Sequence, residues 1–351
     1  MQNTRLCQFR ITVAVVAPCV MLLFASLLRA QMSAGEAPPP PGQLIDVGGW
    51  KLHLNCVGTH KEGTPTVIFE SGAGGSSLDW ALVQPGVAAF TQACAYDRAG
   101  TAWSELGPRP RTIRQTEYEL HTLMAKAGIP GSYVLVGHSM GGIMVRNFAA
   151  QFPGEVAAMV LVDSTSDDSR LVHFGKLMRI RDDTTSKPIP PVRSTILPAE
   201  KQMSVDEKKM ADDMLQHGPP PPSLDPASKW PLDVQRMRIW ISKQPERTTE
   251  GSPFTGQEFA ELYIARHAQQ NTLDNIPLIV LIAGKRQEMP NLPPEWRVTN
   301  QEVNQQEEEL ASLSSRGKFI YVENSTHNVP YDEPQAVVDA VRKVVKAASK
   351  P

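Results

Sequence analysis

The 351-residue chain has no excess of either charge: 35 basic and 37 acidic residues leave a formal net charge of −2. That balance offers no electrostatic footprint for nucleic acid. Cysteine is scarce, with four residues, too few at this length for a disulfide-built miniature fold or a four-thiolate zinc centre. His53, His60, His121, His173, His217 and His267 show no paired metal-ligand spacing, so they read as surface or cap residues and no metal is expected. No segment repeats at roughly 20–50 residues, which speaks against a solenoid or propeller. Gly72, Gly74 and Gly75 are followed by no Lys-Ser/Thr pair, so the phosphate-loop reading fails and no cofactor is implied.

What is present can bury a core: 41% of residues are apolar and 21% charged. The length suits one large domain or a domain with an insertion, since single cores stop growing near roughly 300 residues. Arg5 and Arg10 precede an apolar run from Ile11 to Leu28, interrupted by Pro18, with small residues at Ala30 and Ala34 beyond it. Residues 1–34 therefore read as a secretory signal. The competing reading is an uncleaved membrane anchor, because an 18-residue run reaches the lower limit for a span. Either predicts work outside the cytoplasm, in the periplasm or the medium. Residues 35–42, with Pro38 to Pro41, form a stiff spacer.

Two stretches, 43–163 and 276–351, alternate strand and helix patterns. Leu44–Val47 and Trp50–Val57 predict a hairpin turning on Gly48-Gly49. Strands are expected at Thr66–Phe69, Ala93–Tyr96, Tyr133–Val136, Val156–Val162, Leu278–Ile282 and Phe319–Val322, with helices between them and a last helix from Pro334. Several strands are continuously apolar, which implies a mostly parallel sheet covered on both faces. Residues 164–275 break the rhythm with charge, methionine, Pro219 to Pro222 and amphipathic helices at Asp233–Lys243 and Gln257–Gln269. This stretch reads as an inserted helical lid without strands; its aromatics, among them Trp230, Trp240 and Phe259, are too many for a solvated tether.

Tyr133-Val134-Leu135-Val136 leads into Gly137-His138-Ser139-Met140-Gly141-Gly142, and a helical pattern starts at once. A bare G-x-S-x-G is weak, but between strand and helix it marks a strained turn that presents the serine at a helix N-terminus. The bland alternative is a glycine-rich helix start that binds an anion. His138 points away at such a turn and reads as structural.

In these residues the chain resembles the α/β-hydrolase-fold serine hydrolases, from Gln43 to Lys350. Phe69-Glu70-Ser71-Gly72-Ala73-Gly74-Gly75 sits where that family places its oxyanion segment, with Ser71 in place of the usual histidine. Tyr96-Asp97-Arg98-Ala99-Gly100, ending at Ser104, resembles the loop after the family's fourth strand, where Asp97 and Arg98 brace the site. Glu323-Asn324-Ser325-Thr326-His327 follows the last strand, where the family carries its histidine. The resemblance implies an eight-stranded, mostly parallel sheet with helices on both faces and a helical cap after the sixth strand. It implies Ser139 as nucleophile, His327 as general base and acid, and the Met140 and Ala73 N–H groups as oxyanion donors. The acid is least legible. The family's Gly-x-x-Asp position after the seventh strand falls on Gln287, a neutral amide; Glu288 is one residue further, and Asp163 ends the sixth strand, the other site this fold uses. Asp163 needs no register shift and is the first choice, with Glu288 the alternative.

The fold also runs its second strand antiparallel beside the fourth, which implies a Cys56–Cys94 disulfide in an oxidising compartment. A serine at the elbow argues against epoxide hydrolases and dehalogenases of this fold, which the resemblance would give an aspartate. The expected function is hydrolysis of a small-molecule carboxylic ester. Alternatives are a lidded aminopeptidase of the proline-iminopeptidase kind, needing acidic groups such as Asp167, Asp168, Asp212 or Asp213 for the amine, or a non-catalytic binding module. The sequence does not choose an oligomeric state.

Overall fold

The computed structural model describes residues 38–173, 176–196, 229–242, 255–268, 272–286 and 297–349. The first 37 residues, Pro219 to Pro222, Gln287 and Glu288 lie outside them.

Eight strands form one sheet. They are β1 (Gln43–Asp46), β2 (Lys51–Val57), β3 (Thr66–Glu70), β4 (Ala93–Tyr96), β5 (Tyr133–His138), β6 (Val156–Val162), β9 (Leu278–Ala283) and β10 (Gly317–Val322). Their order is β1-β2-β4-β3-β5-β6-β9-β10. β2 pairs antiparallel with both β1 and β4, and every other pair is parallel. The alternating side-chain directions of a strand divide the core into two faces. Ile68, Leu135, Met159, Leu161, Val280 and Ile282 meet one set of helices, α2 (Ile113–Lys126), α3 (Met140–Gln151) and α6 (Asn300–Leu310). Val67, Phe69, Val134, Val136, Val160 and Leu281 meet α1 (Gln84–Ala88) and α7 (Pro334–Ala348). Covering on both faces explains why the central strands are apolar throughout.

Three expectations change. The β1–β2 connection runs over four residues rather than two, because Asp46 Oδ1 accepts from the Gly48 and Gly49 N–H groups at 2.8 Å each and builds a longer turn. His53, expected at the surface, is fully buried on β2. Its Nδ1 lies 2.8 Å from Asp97 Oδ2 and its Nε2 is 2.6 Å from the Pro41 carbonyl. Burial opposes its charge, but Asp97 and that carbonyl outweigh burial and raise its pKa. The insertion between β6 and β9 also contains strands: β7 (Arg170–His173) and β8 (Lys176–Arg179) form an antiparallel pair apart from the main sheet. Arg-Leu-Val-His and Lys-Leu-Met-Arg each set two adjacent apolar residues between polar ones, which gives neither alternation nor an apolar run. The expected helices are present as α4 (Leu232–Ser242) and α5 (Thr255–Ala268). Cys56 and Cys94 face each other across β2 and β4 and are joined by a disulfide.

Candidate active site

Ser139 occupies the sharp turn between β5 and α3, with φ 54° and ψ −122°. A positive φ at a non-glycine residue costs free energy and persists only where its surroundings impose it. Here the neighbouring backbone does so. The Ser139 N–H donates to the Val162 carbonyl at 3.1 Å, and its carbonyl accepts from the Gly142 and Thr165 N–H groups at 3.0 Å each. The flanking glycines allow backbone to touch backbone: a β-carbon at Gly137 would lie 2.4 Å from the Gly141 carbonyl oxygen, and one at Gly141 would lie 2.4 Å from that of Glu70. The serine side chain makes no capping bond to α3.

β5 and β6 pair His138 with Val162, so Ser139 and Asp163 leave adjacent strand ends. Asp163 is also at positive φ, 39°. His327 follows β10, and its Nδ1–H donates to Asp163 Oδ2 at 2.6 Å. The imidazole is half-exposed while the carboxylate is buried. Asp163 Oδ1 accepts from the Ala283 N–H at 2.8 Å, at the end of β9. Burial alone would push the Asp163 pKa up. The His327 hydrogen bond, the Arg286 guanidinium and the Ala283 N–H together hold it below the ordinary carboxylate range.

His138 is a working part of this arrangement. Its Nε2–H donates to the His327 carbonyl at 2.8 Å, and the two rings lie 4.8 Å apart, tilted. Burial and then the neighbouring His327 depress its pKa to about 4. A neutral ring with its proton on Nε2 follows, so His138 fixes the loop that carries His327.

Arg98 braces the segment that leads into Ala73, one of the two donors expected for an oxyanion. Its guanidinium pairs with Glu70, and donates to the Ser71 carbonyl at 2.8 Å and the Gly72 carbonyl at 2.6 Å. A trans peptide sets N–H opposite C=O, so pinning the Gly72 carbonyl turns the Ala73 N–H the other way. Gly72 lies against Ser139: a β-carbon there would come within 3.2 Å of the serine Cβ. Met140 is half-buried at the start of α3, against Ile143, Met144, Ile180 and Phe259.

Sequence reasoning passed over Arg286 and Glu307. The Arg286 Nη atoms donate to the two Asp163 oxygens at 3.0 and 3.2 Å, its Nε donates to Asn304 Oδ1 at 2.6 Å, and it pairs with Glu307 on α6. Burial and the adjacent Asp163 charge push the Glu307 pKa well up, against the pull of Arg286. A cation one residue before the position where a carboxylate was sought was the available signal. A cavity of about 160 Å³ opens beside Asp163 and His327, bounded by Arg286, Arg170, Thr165 and Gln306.

Two acids weighed for an amine site are engaged elsewhere. Asp167 is buried between Arg146 and Arg266, and Asp168 pairs with Arg179 and Arg181. Asp212 and Asp213 lie outside the described residues.

The fold agrees with known proteins. The chain is 25% identical over 291 residues to the uncharacterized protein YqjL of Bacillus subtilis, covering 82% of this chain and 87% of the relative. An AB hydrolase superfamily protein of Gibberella zeae is 23% identical over 300 residues, with 80% and 86% covered. Among solved structures, a thermophilic esterase from Thermogutta terrifontis superposes with a TM-score of 0.59 at 16% identity, covering 88% of this chain and all (100%) of the esterase. The enol-lactonase from Burkholderia xenovorans LB400 gives 0.54 at 15% identity, with 87% and 100% covered. At these identities the structural likeness carries the fold. The model of the alpha/beta hydrolase family matches residues 67–340, from β3 into the final helix. With most of its length matched, the chain belongs to the alpha/beta hydrolase family.

Proposed function

We propose that the protein is an exported serine hydrolase that cleaves small-molecule carboxylic esters through an acyl-enzyme. The observation that carries this reading is the 2.6 Å contact between His327 and buried Asp163, one strand across from a serine held at φ 54°. In this mechanism Ser139 Oγ attacks the ester carbonyl while His327 Nε2 takes its proton. Asp163 holds the imidazole tautomer with the proton on Nδ1 and stabilises the imidazolium. The oxyanion forms against the Met140 and Ala73 N–H groups, each worth roughly 3–4 kcal/mol of barrier. His327 then protonates the leaving alcohol, and water repeats the sequence to release the acid.

Esters are favoured over peptides with a free amine because Asp167 and Asp168 are already neutralised by arginines. Export is supported by the N-terminal apolar run and by the Cys56–Cys94 bridge, a bond that persists in oxidising compartments. If the run is not cleaved, the same reading places the enzyme on a membrane. The test is fluorophosphonate labelling at Ser139, followed by turnover of nitrophenyl esters of increasing acyl length beside prolyl and alanyl amides. Labelling with ester turnover is the expected result. No labelling would favour a binding module, and preference for the amides would favour the aminopeptidase.

A further inference from the structure

Strand β9 leaves the sheet where its family pattern places the triad carboxylate, and here the chain presents Gly284-Lys285-Arg286. The carboxylate comes instead from β6, as Asp163, and the β9 exit reaches back to it twice: with the Ala283 N–H at 2.8 Å and with the Arg286 fork at 3.0 and 3.2 Å. We propose that Arg286 is a positioning residue for the catalytic pair, a cation that locks the carboxylate of Asp163 in the orientation that receives His327 Nδ1–H and that is itself held in place from α6. This rests on the serine-hydrolase reading and adds to it a fourth member.

The geometry supports both halves of that role. Asp163 stands at positive φ with one oxygen toward His327 and the other toward Ala283. A carboxylate rotates about its last torsion with little preference, and two donors from one rigid fork remove that freedom. Arg286 is itself fixed from α6, by Asn304 Oδ1 at 2.6 Å and by Glu307. Of the two buried carboxyl groups on one guanidinium, Asp163 is pulled down and Glu307 is pushed up. Opposite shifts are the pattern that assigns roles to paired acids: the Asp163 carboxylate is favoured in its charged form for His327, and Glu307 is shifted toward its neutral form. Other ionisable groups facing this cluster are His138 from the elbow, the Arg170–Glu302 pair along the cavity, and Tyr321 with Glu308 beside β10. None of these puts a second guanidinium on Asp163 among the described contacts.

The test measures nitrophenyl ester turnover of wild type, Arg286→Lys and Arg286→Met, with kcat counted per Ser139 that a fluorophosphonate labels. Arg286→Met should lower kcat per labelled site by roughly 10- to 100-fold with KM little changed. Arg286→Lys keeps the charge but not the fork, so it should recover only part of that loss. A merely structural arginine would lower the labelled fraction and leave kcat per labelled site unchanged. Wild-type kcat per labelled site in Arg286→Met overturns the proposal. If that variant does not fold, Arg286→Lys decides: full wild-type kcat per labelled site overturns it, and a reduced one upholds it. Failure of wild type to label at Ser139 would instead sink the serine-hydrolase reading itself.

Discussion

Around Ser139 the polypeptide is held by backbone against backbone, whereas the segment between β6 and β9 is tied to the core by side chains, charged and apolar. The elbow depends on carbonyl and amide groups in such close contact that Gly137 and Gly141 leave no room for a β-carbon. The insertion is fastened by Arg238 on Asp79, by Arg146 on Asp167, and by Glu258 on the first N–H groups of α2. Apolar contact joins it at three places: Trp230 and Trp240 with Trp103 and Tyr331, Ile180 and Phe259 with Ile143 and Met144, and Ile196 in the main core. Backbone contacts do not titrate, and salt does not screen them. Charge contacts do respond, and the exposed ones such as Arg114–Glu261 are worth little each. On the proposed reading, that division fixes the serine and leaves the insertion the more adjustable part. Asp163 stands on the boundary, as the last residue before the insertion begins.

Breaking the rigid side should have the largest effect. Ser139→Ala and His327→Ala should each lower kcat by roughly five to six orders of magnitude, and the double variant little more, because the residues act as a unit. Esterase assays on the three purified variants check this, and full turnover by Ser139→Ala would end the nucleophile assignment. Next comes the boundary. Asp163→Asn keeps the shape but removes the charge that supports the imidazolium, and kcat should fall about 10⁴-fold. Glu288→Gln is the counter-test: a collapse there, with Asp163→Asn still active and folded, would move the acid to Glu288.

The same division explains what could be read in advance. The sheet, its two faces and the serine turn follow from local patterns: apolar strands, a G-x-S-x-G between strand and helix, and a proline opening the last helix. The Cys56–Cys94 bridge needed the strand order as well, which came from the family resemblance rather than from spacing. His53 was misplaced because its partner Asp97 comes from another strand, so no local pattern marks the site as buried. Arg286 and Glu307 were missed for a similar reason. Residues 163, 286, 307 and 327 converge only when β6, β9, α6 and the loop after β10 meet, and charged side chains carry no periodic signal. The β7–β8 pair carries neither an alternating nor a continuously apolar pattern.

The disulfide tests the rigid side without touching chemistry. It closes a loop with a sequence separation of 38 and lies on β2 and β4, with β3 between them and β5. Replacing both cysteines by serine should cost about 4 kcal/mol of stability on the entropic account, read as a lower urea midpoint. Turnover per folded molecule should stay near wild type. A variant as stable as the parent would show that the bridge constrains little, and two free thiols in the unreduced mature protein would show that it does not form.

Glu258 should give the smallest effect and tests the adjustable side. It sits fully buried on α5, where one oxygen accepts from the Ile113 N–H at 2.6 Å and the Arg114 N–H at 3.2 Å while the other has no partner. Burial raises its pKa from 4.5 to about 7, against the opposing pull of the two N–H groups and Arg114. The sign follows from proton uptake. Between those two values the folded protein binds a proton that the unfolded chain has released, so this site makes stability fall as pH rises from 4.5 to about 7. Above that range the full penalty applies, at most on the order of 3 kcal/mol. Gln at this position keeps an acceptor for both N–H groups and cannot ionise. Glu258→Gln should therefore match wild type within about 1 kcal/mol at pH 5 and exceed it by roughly 1–3 kcal/mol at pH 8. Urea denaturation at the two pH values measures the difference. If the variant is instead weaker at pH 8 than at pH 5 relative to wild type, the ionised carboxylate is the better cap for α2, and the insertion is held by charge even at this buried contact.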